Sequence, residues 1–159
     1  MSPSLDVIFL AKDGTPHASR LEYLQQLGFS VQRCHDLKTL YACQAARPSK
    51  LLVLSASGAD IQLASWRMRA MAPDIGIVAL LRHAGSAARI RALQSGVDIC
   101  LPADTDGLEL AAILHALMRR MEATHMVPQP ATRAATGAAP KRDKACMPDL
   151  PRWRPQGSR

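Results

Sequence analysis

Ser55 is the residue whose type and position could do chemistry, because its hydroxyl directly follows the apolar run 51–54 and precedes the small residues 56–59. Four consecutive apolar residues between polar ones are typical of a short strand that is buried on both faces of a parallel sheet. In an open α/β sheet, functional loops lie at the carboxyl ends of such strands. A serine hydroxyl is a weak nucleophile unless a base activates it, and no histidine lies near Ser55 in the sequence. Ser55 could therefore be a nucleophile or phosphosite, or a loop hydroxyl with its own hydrogen-bond partner.

The cysteines and histidines show no metal-binding spacing. The four cysteines (Cys34, Cys43, Cys100 and Cys146) form no CxxC pair, and the five histidines have no ligand pattern. Disulfides or a zinc site remain alternatives, but buried thiols in a cytosolic protein are the favoured interpretation, and we expect each histidine to be exposed to solvent. The chain also has neither a GxGxxG motif nor a P-loop. We predict no metal and no cofactor.

The elements that must position Ser55 alternate regularly along the chain. Short apolar runs and segments of helical periodicity follow one another five times. Parallel strands need a crossover helix between them, so the alternation predicts an α/β fold of the (βα)5 type, a doubly wound parallel five-stranded sheet with helices on both faces. The predicted strands are 7–11, 29–33, 51–54, 75–81 and 99–101, and the predicted helices include 61–71, 86–95 and 108–121.

Several side chains of these helices have predicted roles. Asp36 and Asp60 are expected to cap the second and third helices, and Trp66 on the third helix is interpreted as a core residue. The fourth helix is predicted to bury its apolar residues and to expose its arginines, with Ala87, Ile90 and Leu93 inward and Arg89 and Arg91 outward.

Composition changes near the end of the chain. The net charge is +7, and the residues from Met126 onward carry +5 of it, together with six of the 11 prolines. We expect a folded domain at 1–124 and a flexible, disordered basic tail at 125–159, able to make only weak, non-specific contact with DNA or another anionic partner. No apolar run approaches membrane-spanning length and the start of the chain shows no secretory signal, so we expect a cytoplasmic protein with no membrane contact.

Residues 5–121 resemble the receiver domain of bacterial two-component response regulators, known from CheY-like proteins. The most specific piece is 91–102, RALQSGVDICLP, which is similar to the family segment ALxxGADDYLxKP, and residues 24–29, 48–54 and 77–81 also match. The resemblance implies the flavodoxin-like strand order 2-1-3-4-5. In the family, an aspartate at the end of the third strand accepts a phosphoryl group while Mg²⁺, a lysine and a hydroxyl stabilise the phosphoryl oxygens.

This chain departs from the family pattern at each position that carries the reaction. The acceptor position is Ser55, and the acidic pair of the first strand falls on Ala11 and Lys12, with Asp13 next. A one-residue shift could place Asp13 in the pocket as a metal ligand, against a simple turn and helix-capping role. Lys12 could also fill the vacated phosphate pocket and pair with Asp13. The remaining degenerate positions are Leu81 for the hydroxyl, Cys100 for the aromatic switch residue and Ala103 for the lysine.

These departures imply a pseudo-receiver, a non-enzymatic domain that signals by protein contact or dimerisation without aspartyl phosphorylation. The resemblance further implies a response regulator that controls transcription, often through a winged-helix domain, and Trp153 resembles the start of such a domain. One alternative is an active response regulator that receives phosphate at a non-standard residue. Others are a regulator that binds DNA through a missing or basic C-terminal region, and a small binding protein or enzyme of unrelated function.

The resemblance also implies a protein partner or a homodimer through the face formed by the fourth helix, fifth strand and fifth helix. In this chain that face would be more apolar than usual, and its charged residues could instead simply be solvated. The candidate residues are Arg89, Arg91, Asp98, Ile113, Arg119 and Arg120.

Overall fold

Five parallel strands form one sheet in the order β2-β1-β3-β4-β5, which confirms the predicted fold class and strand order. The structure is a computed structural model and describes residues 5–12, 17–83 and 85–125. The predicted tail lies outside the described residues except for residue 125. The strands are β1 (Leu5–Ala11), β2 (Phe29–Cys34), β3 (Leu51–Ser55), β4 (Gly76–Leu81) and β5 (Ile99–Pro102).

A helix follows each strand, as the predicted crossovers require. The final helix continues past its predicted end at residue 121 to residue 125. Within the described ranges, no helix is long and apolar enough to cross a membrane. The helices are α1 (Ala18–Gln26), α2 (Leu37–Ala46), α3 (Gly58–Met71), α4 (Ser86–Gln94) and α5 (Gly107–His125).

The sheet separates two hydrophobic cores. Successive side chains of a strand point to opposite faces, so β3 contributes Leu52 and Leu54 to one core and Leu51 and Val53 to the other. The first core contains residues of α2, α3 and α4, and the second contains residues of α1 and α5. All five residues of β3 are buried, which fits its continuous apolar sequence.

The N-terminal caps of α2 and α3 confirm one prediction and correct another. The Asp36 carboxylate accepts a 2.7 Å hydrogen bond from the Thr39 backbone N–H, as a capping residue should. The cap of α3 is Ser57 and not Asp60, whose backbone N–H donates to the Ser57 hydroxyl at 3.2 Å. The helix therefore begins before the predicted start, since the serine hydroxyl satisfies a free N–H of its first turn.

Two predictions about buried helix faces are wrong. Trp66 is 70% exposed, because α3 packs its other face on the sheet. On α4 the residues predicted to face the core, Ala87, Ile90 and Leu93, are all exposed, and Ala92 is buried instead. Helical spacing identifies an apolar stripe, but it does not show which stripe the sheet covers.

Candidate functional site

The carboxyl ends of the strands bring the candidate residues to one edge of the sheet. Ala11 is in register with Ser55 on the neighbouring strand, and the Lys12 backbone N–H donates to the Ser55 carbonyl at 2.9 Å. At the same edge, between the ends of β4 and β5, the Ala103 N–H donates to the Leu81 carbonyl at 2.9 Å. Residues far apart in the sequence therefore lie at the same edge of the sheet, where open α/β sheets hold ligands.

Ser55 is the last residue of β3 and is fully buried, so the expectation of a loop position is wrong. Its chain neighbours Leu54 and Ala56 are buried as well. A neutral hydroxyl in such surroundings has neither the charge nor the nucleophilic strength of the carboxylate that receiver domains use.

The end of β1 offers a methyl group and a cation. Ala11 is 9% exposed, and the Lys12 Nζ lies 2.9 Å from the Asp60 Oδ1. Asp13 lies outside the described residues, and with it the predicted metal ligand and the predicted Lys12–Asp13 pair. Among the residues that the structure does describe, no group of three or more His, Cys, Asp or Glu side chains could hold a metal ion.

Asp60 is the acidic residue of this site among those that the structure describes, and sequence reasoning missed its contact with Lys12. Its Oδ1 accepts from Lys12, and its Oδ2 accepts from the Ser57 hydroxyl at 2.8 Å. The hydrogen bond from Lys12 is the main reason that the pKa of the Asp60 carboxyl is lowered from its ordinary value. The spacing of Ser57 and Asp60 is the signal that could have placed this carboxylate in the first helical turn.

A cleft of about 500 Å³ opens at this edge of the sheet, between the ends of β1, β3 and β4 and the helix α4. Its described polar lining comprises three Lys or Arg residues, one histidine, one serine and one carboxylate. Arg82 and His83, which directly follow β4, were not predicted as site residues. The polar lining residues are Lys12, Ser57, Asp60, Arg82, His83 and Arg91, and Ala56, Leu81 and Ala88 form part of the wall.

Beside Ala103, an arginine of α1 lies near the position where receiver domains carry a lysine. The Arg20 Nη2 donates to the Ala103 carbonyl at 2.9 Å, and its Nη1 lies 2.8 Å from the His17 Nδ1. A guanidinium can only donate, so the His17 Nδ1 is the acceptor and carries no proton. His17 is 1% exposed and packs against the Phe9 ring, which corrects the expectation that every histidine is exposed.

Cys100 lies outside the cleft. It is in register with Ala79 on β4, is partly buried beside α4, and its Sγ lies 4.0 Å from the Arg89 carbonyl oxygen. Burial raises the pKa of the Cys100 thiol. A small, mostly protonated thiol occupies the position of the family's aromatic switch residue.

The six candidate dimer residues lie in different surroundings. Arg89 lines a groove of about 460 Å³ between α4 and β5, whereas Arg91 lines the cleft described above. Residues two apart on a helix point about 200° apart, so Arg89 and Arg91 have different surroundings, and their place in a dimer face stays a prediction. Asp98 lines the groove, but its carboxylate accepts from Arg69 and from the Ile77 N–H. On α5, Ile113 is half-buried, while Arg119 and Arg120 are exposed.

Comparisons with known proteins show similarity at the level of structure. No protein-family model and no curated protein matches the sequence. Among solved structures, a two-component response regulator from Clostridium difficile has a TM-score of 0.67 at 19% identity, over 74% of this chain and 98% of that one. An orphan response regulator of H. pylori has a TM-score of 0.65 at 18% identity, over 73% and 98%. A CheY-like receiver domain protein from Methanospirillum hungatei has a TM-score of 0.68 at 11% identity, over 76% and 98%.

These neighbours and the observed strand order agree with the resemblance found in the sequence. At identities below 20% they establish the fold alone. The described part of the chain has the fold of a response-regulator receiver domain.

Proposed function

We propose that this chain is a receiver-type signalling module of a bacterial, cytoplasmic response regulator that acts through protein contact and not through aspartyl phosphorylation. The observation that carries the proposal is the fully buried Ser55 at the end of β3, in register with Ala11. Aspartyl phosphorylation needs a carboxylate that attacks phosphorus and a divalent cation that neutralises the developing charge. The described residues at this edge supply a hydroxyl, a methyl group and a lysine in the corresponding places.

The Lys12–Asp60 ion pair supports this proposal. In receiver domains that bind Mg²⁺, carboxylates at the end of the first strand hold the metal ion. Here the Lys12 Nζ lies 2.9 Å from the Asp60 carboxylate and joins the end of β1 to the first turn of α3. The Lys12 ammonium is part of the chain, so this ion pair forms without a bound metal ion and does not depend on phosphorylation.

The face between α4, β5 and α5 is the proposed contact surface, with a second copy of this chain as the partner. Ile90 and Leu93 are 52% and 48% exposed on α4 and line the groove beside β5 together with Ile99. Apolar side chains gathered in a groove of this kind are what the centre of a protein interface buries. A homodimer through this face would be more apolar than one joined by ion pairs, since the Asp98 carboxylate is already bonded within the chain.

The test is to incubate the full chain with Mg²⁺ and acetyl phosphate, and separately with beryllofluoride, and to record intact mass and amide NMR spectra. We expect no covalent adduct and no group of shifted amides around Ser55. A stoichiometric phosphoryl adduct would overturn the proposal. The variants Ser55→Ala and Asp60→Asn then identify the acceptor, because only the loss of the true acceptor removes the adduct.

Asp60 is the observation that favours a second candidate, an active response regulator that receives phosphate at a non-standard residue. Its carboxylate lines the cleft and its lowered pKa keeps it ionised at neutral pH. Against this candidate, both carboxylate oxygens are already engaged, by Lys12 and by Ser57. The same incubation decides between the two functions, since this candidate requires an adduct that Asp60→Asn abolishes. Weak DNA contact by the basic tail remains a prediction about residues outside the described part of the chain.

A further inference from the structure

We infer that the cleft between Lys12 and Arg91 binds a small phosphate-bearing ligand reversibly, through the phosphate group. The inference rests on the proposed function, because it assigns a non-covalent signal to the same edge of the sheet. The ligand class is a phosphate ester of nucleotide size or free inorganic phosphate, and the experiment below separates the two.

The charge of the cleft is the first argument. Its described lining contains the cations Lys12, Arg82 and Arg91 and a single carboxylate, that of Asp60. This carboxylate already accepts from the Lys12 ammonium at 2.9 Å and from the Ser57 hydroxyl at 2.8 Å. Arg91 adds a further positive charge to the described lining, which attracts an anion that enters the cleft. Guanidinium groups match phosphate oxygens in geometry and can donate two parallel hydrogen bonds.

The size and walls of the cleft are the second argument. Its volume of about 500 Å³ is within the range of small-molecule sites and exceeds what one phosphate ion fills. Ala56, Leu81 and Ala88 line the cleft and offer apolar contact to the rest of a ligand. A site lined by Lys12 and Arg91 on one side and by an apolar wall on another fits a ligand with an anionic end and a less polar body.

The backbone around Gly58 favours an anion at the same place. Gly58 is the first residue of α3 and lines the cleft, and apart from its chain neighbours and the backbone of its own helix no described atom lies within 4 Å of where its Cβ would be. The first N–H groups of a helix have no partner within the helix, and the helix dipole favours negative charge near them. Glycine lets a ligand approach this backbone closely.

The two candidate nucleophiles of the cleft, Ser55 and Asp60, are not available, so we expect the ligand to bind without a covalent bond. Ser55 is fully buried below it, and Asp60 is held by two partners. Ion pairs and hydrogen bonds from Lys12 and Arg91 require no bond to phosphorus to form or break. The ligand therefore leaves unchanged when it is diluted.

The experiment titrates the full chain with adenosine monophosphate, inorganic phosphate and adenosine, followed by calorimetry and amide NMR at constant ionic strength. We expect saturable shifts at the amides of Gly58, Ala88 and Arg91 with adenosine monophosphate, and none with adenosine. If inorganic phosphate binds as tightly as adenosine monophosphate, the ligand is the free ion. If it binds more weakly, the ligand is an ester. Equal binding of adenosine, or no saturable shift at these amides with either phosphate compound, would overturn the inference.

Two arginines of α4 provide a matched pair of variants. Arg91→Gln removes a cation from the cleft, and we expect it to weaken binding about tenfold, as the loss of a charged hydrogen bond does. Arg89→Gln makes the same change of charge on the same helix, but Arg89 lines the groove beside β5, so binding should be unchanged. Asp60→Asn removes the competing carboxylate and should tighten binding. Equal effects of the two arginine variants would show non-specific attraction and contradict the inference.

The outcomes distinguish this inference from the proposed function. A phosphoryl adduct that survives denaturation after incubation with acetyl phosphate contradicts the proposed function. Absence of both an adduct and the shifts caused by adenosine monophosphate contradicts the inference and leaves the proposed function standing. Reversal of the shifts on dialysis, with the mass of the chain unchanged, supports both.

Discussion

The Arg69 guanidinium of α3 and the Asp98 carboxylate before β5 form a 2.6 Å ion pair that connects three elements of the fold. Arg69 also donates to the carbonyls of Gly96, Pro73 and Ile75. Asp98 in turn accepts a 2.7 Å hydrogen bond from the Ile77 N–H at the start of β4. The pair therefore satisfies backbone groups at the end of α3, at the beginning of β4 and in the turn before β5.

Replacement of Arg69 should destabilise the fold more than loss of a surface ion pair. Arg69→Met keeps part of the apolar stem but leaves two partly buried carbonyls and one exposed carbonyl without this donor, and we expect a loss of about 2 kcal/mol in the free energy of unfolding. Arg69→Lys should recover only part of it, because one ammonium cannot reach all of these acceptors. Urea denaturation measures both values. Arg67→Met, which removes a cation over the Tyr41 ring, is the control and should cost less than Arg69→Met.

At Gly76 the backbone of β4 lies close to side chains of α5. A Cβ at this position would lie 2.7 Å from Leu117 Cδ2 and 2.9 Å from Met121 Sδ. Gly76→Ala should therefore lower the free energy of unfolding by about 1–3 kcal/mol through overpacking. Gly58→Ala is the matched control, since apart from its chain neighbours and the backbone of its own helix no described atom lies within 4 Å of its Cβ position and alanine favours helix. Thermal or urea unfolding measures the free energy of unfolding of both variants. Equal values would show that α5 moves to accept the added methyl group without loss of stability.

The Lys12–Asp60 pair should make stability depend on pH in a defined direction. Lys12 lowers the pKa of Asp60 below its ordinary 3.8, so the pair stabilises the folded state above that pH and loses its contribution as pH falls through the lowered value. Asp60→Asn should cost about 0.5 kcal/mol at pH 7, as expected for a pair of partly exposed charges, and less at pH 3. Urea titrations at both pH values measure the difference. Asp104→Asn at an exposed position is the control, and an unchanged cost of Asp60→Asn at pH 3 would contradict the assignment.

The proposed homodimer depends on the apolar residues of α4. Ile90→Glu places a charge in the groove beside β5 and should convert a dimer of the full chain to a monomer. Leu63→Glu is the matched control, because Leu63 is 51% exposed on α3 against 52% for Ile90 but does not line that groove. Sedimentation equilibrium measures the mass of each variant. A wild-type chain that stays monomeric at high concentration would show that its partner is not a second copy.

The sequence determined the fold better than it determined the site. Continuous apolar runs such as residues 51–54 are typical of strands covered on both faces, and their alternation with helical segments leaves few topologies. The faces of α4 were assigned wrongly because Ile90 and Leu93 have the same spacing whether the sheet or a partner covers them. The buried His17 was missed because its burial depends on Phe9 and Arg20, contacts that no local pattern encodes.

The sequence predicts which residues lie at the candidate site, because they end strands. It does not predict which side chains contact one another there. Ala11 and Ser55 could be placed at one edge because parallel strands end together. Lys12 and Asp60 lie 48 residues apart in sequence, and their contact depends on how the first turn of α3 is oriented over β1. Asp60 was therefore predicted as a helix cap, although it was correctly placed near the start of α3.

Cys34 and Cys43 should differ strongly in reactivity although their Sγ atoms lie 3.6 Å apart. Burial, followed by the hydrogen bond with Cys43, raises the pKa of the Cys34 thiol to about 12. At pH 8 Cys34 is then almost entirely protonated, and the thiolate is the form that alkylating reagents attack. Cys43 is less buried and accepts a hydrogen bond from the Gln32 amide at 3.0 Å. Iodoacetamide should therefore label Cys43 well before Cys34 in the folded chain and both at similar rates in urea, as peptide mass spectrometry can show. Equal labelling of the two thiols in the folded chain would mean that β2 and α2 do not hold Cys34 away from solvent.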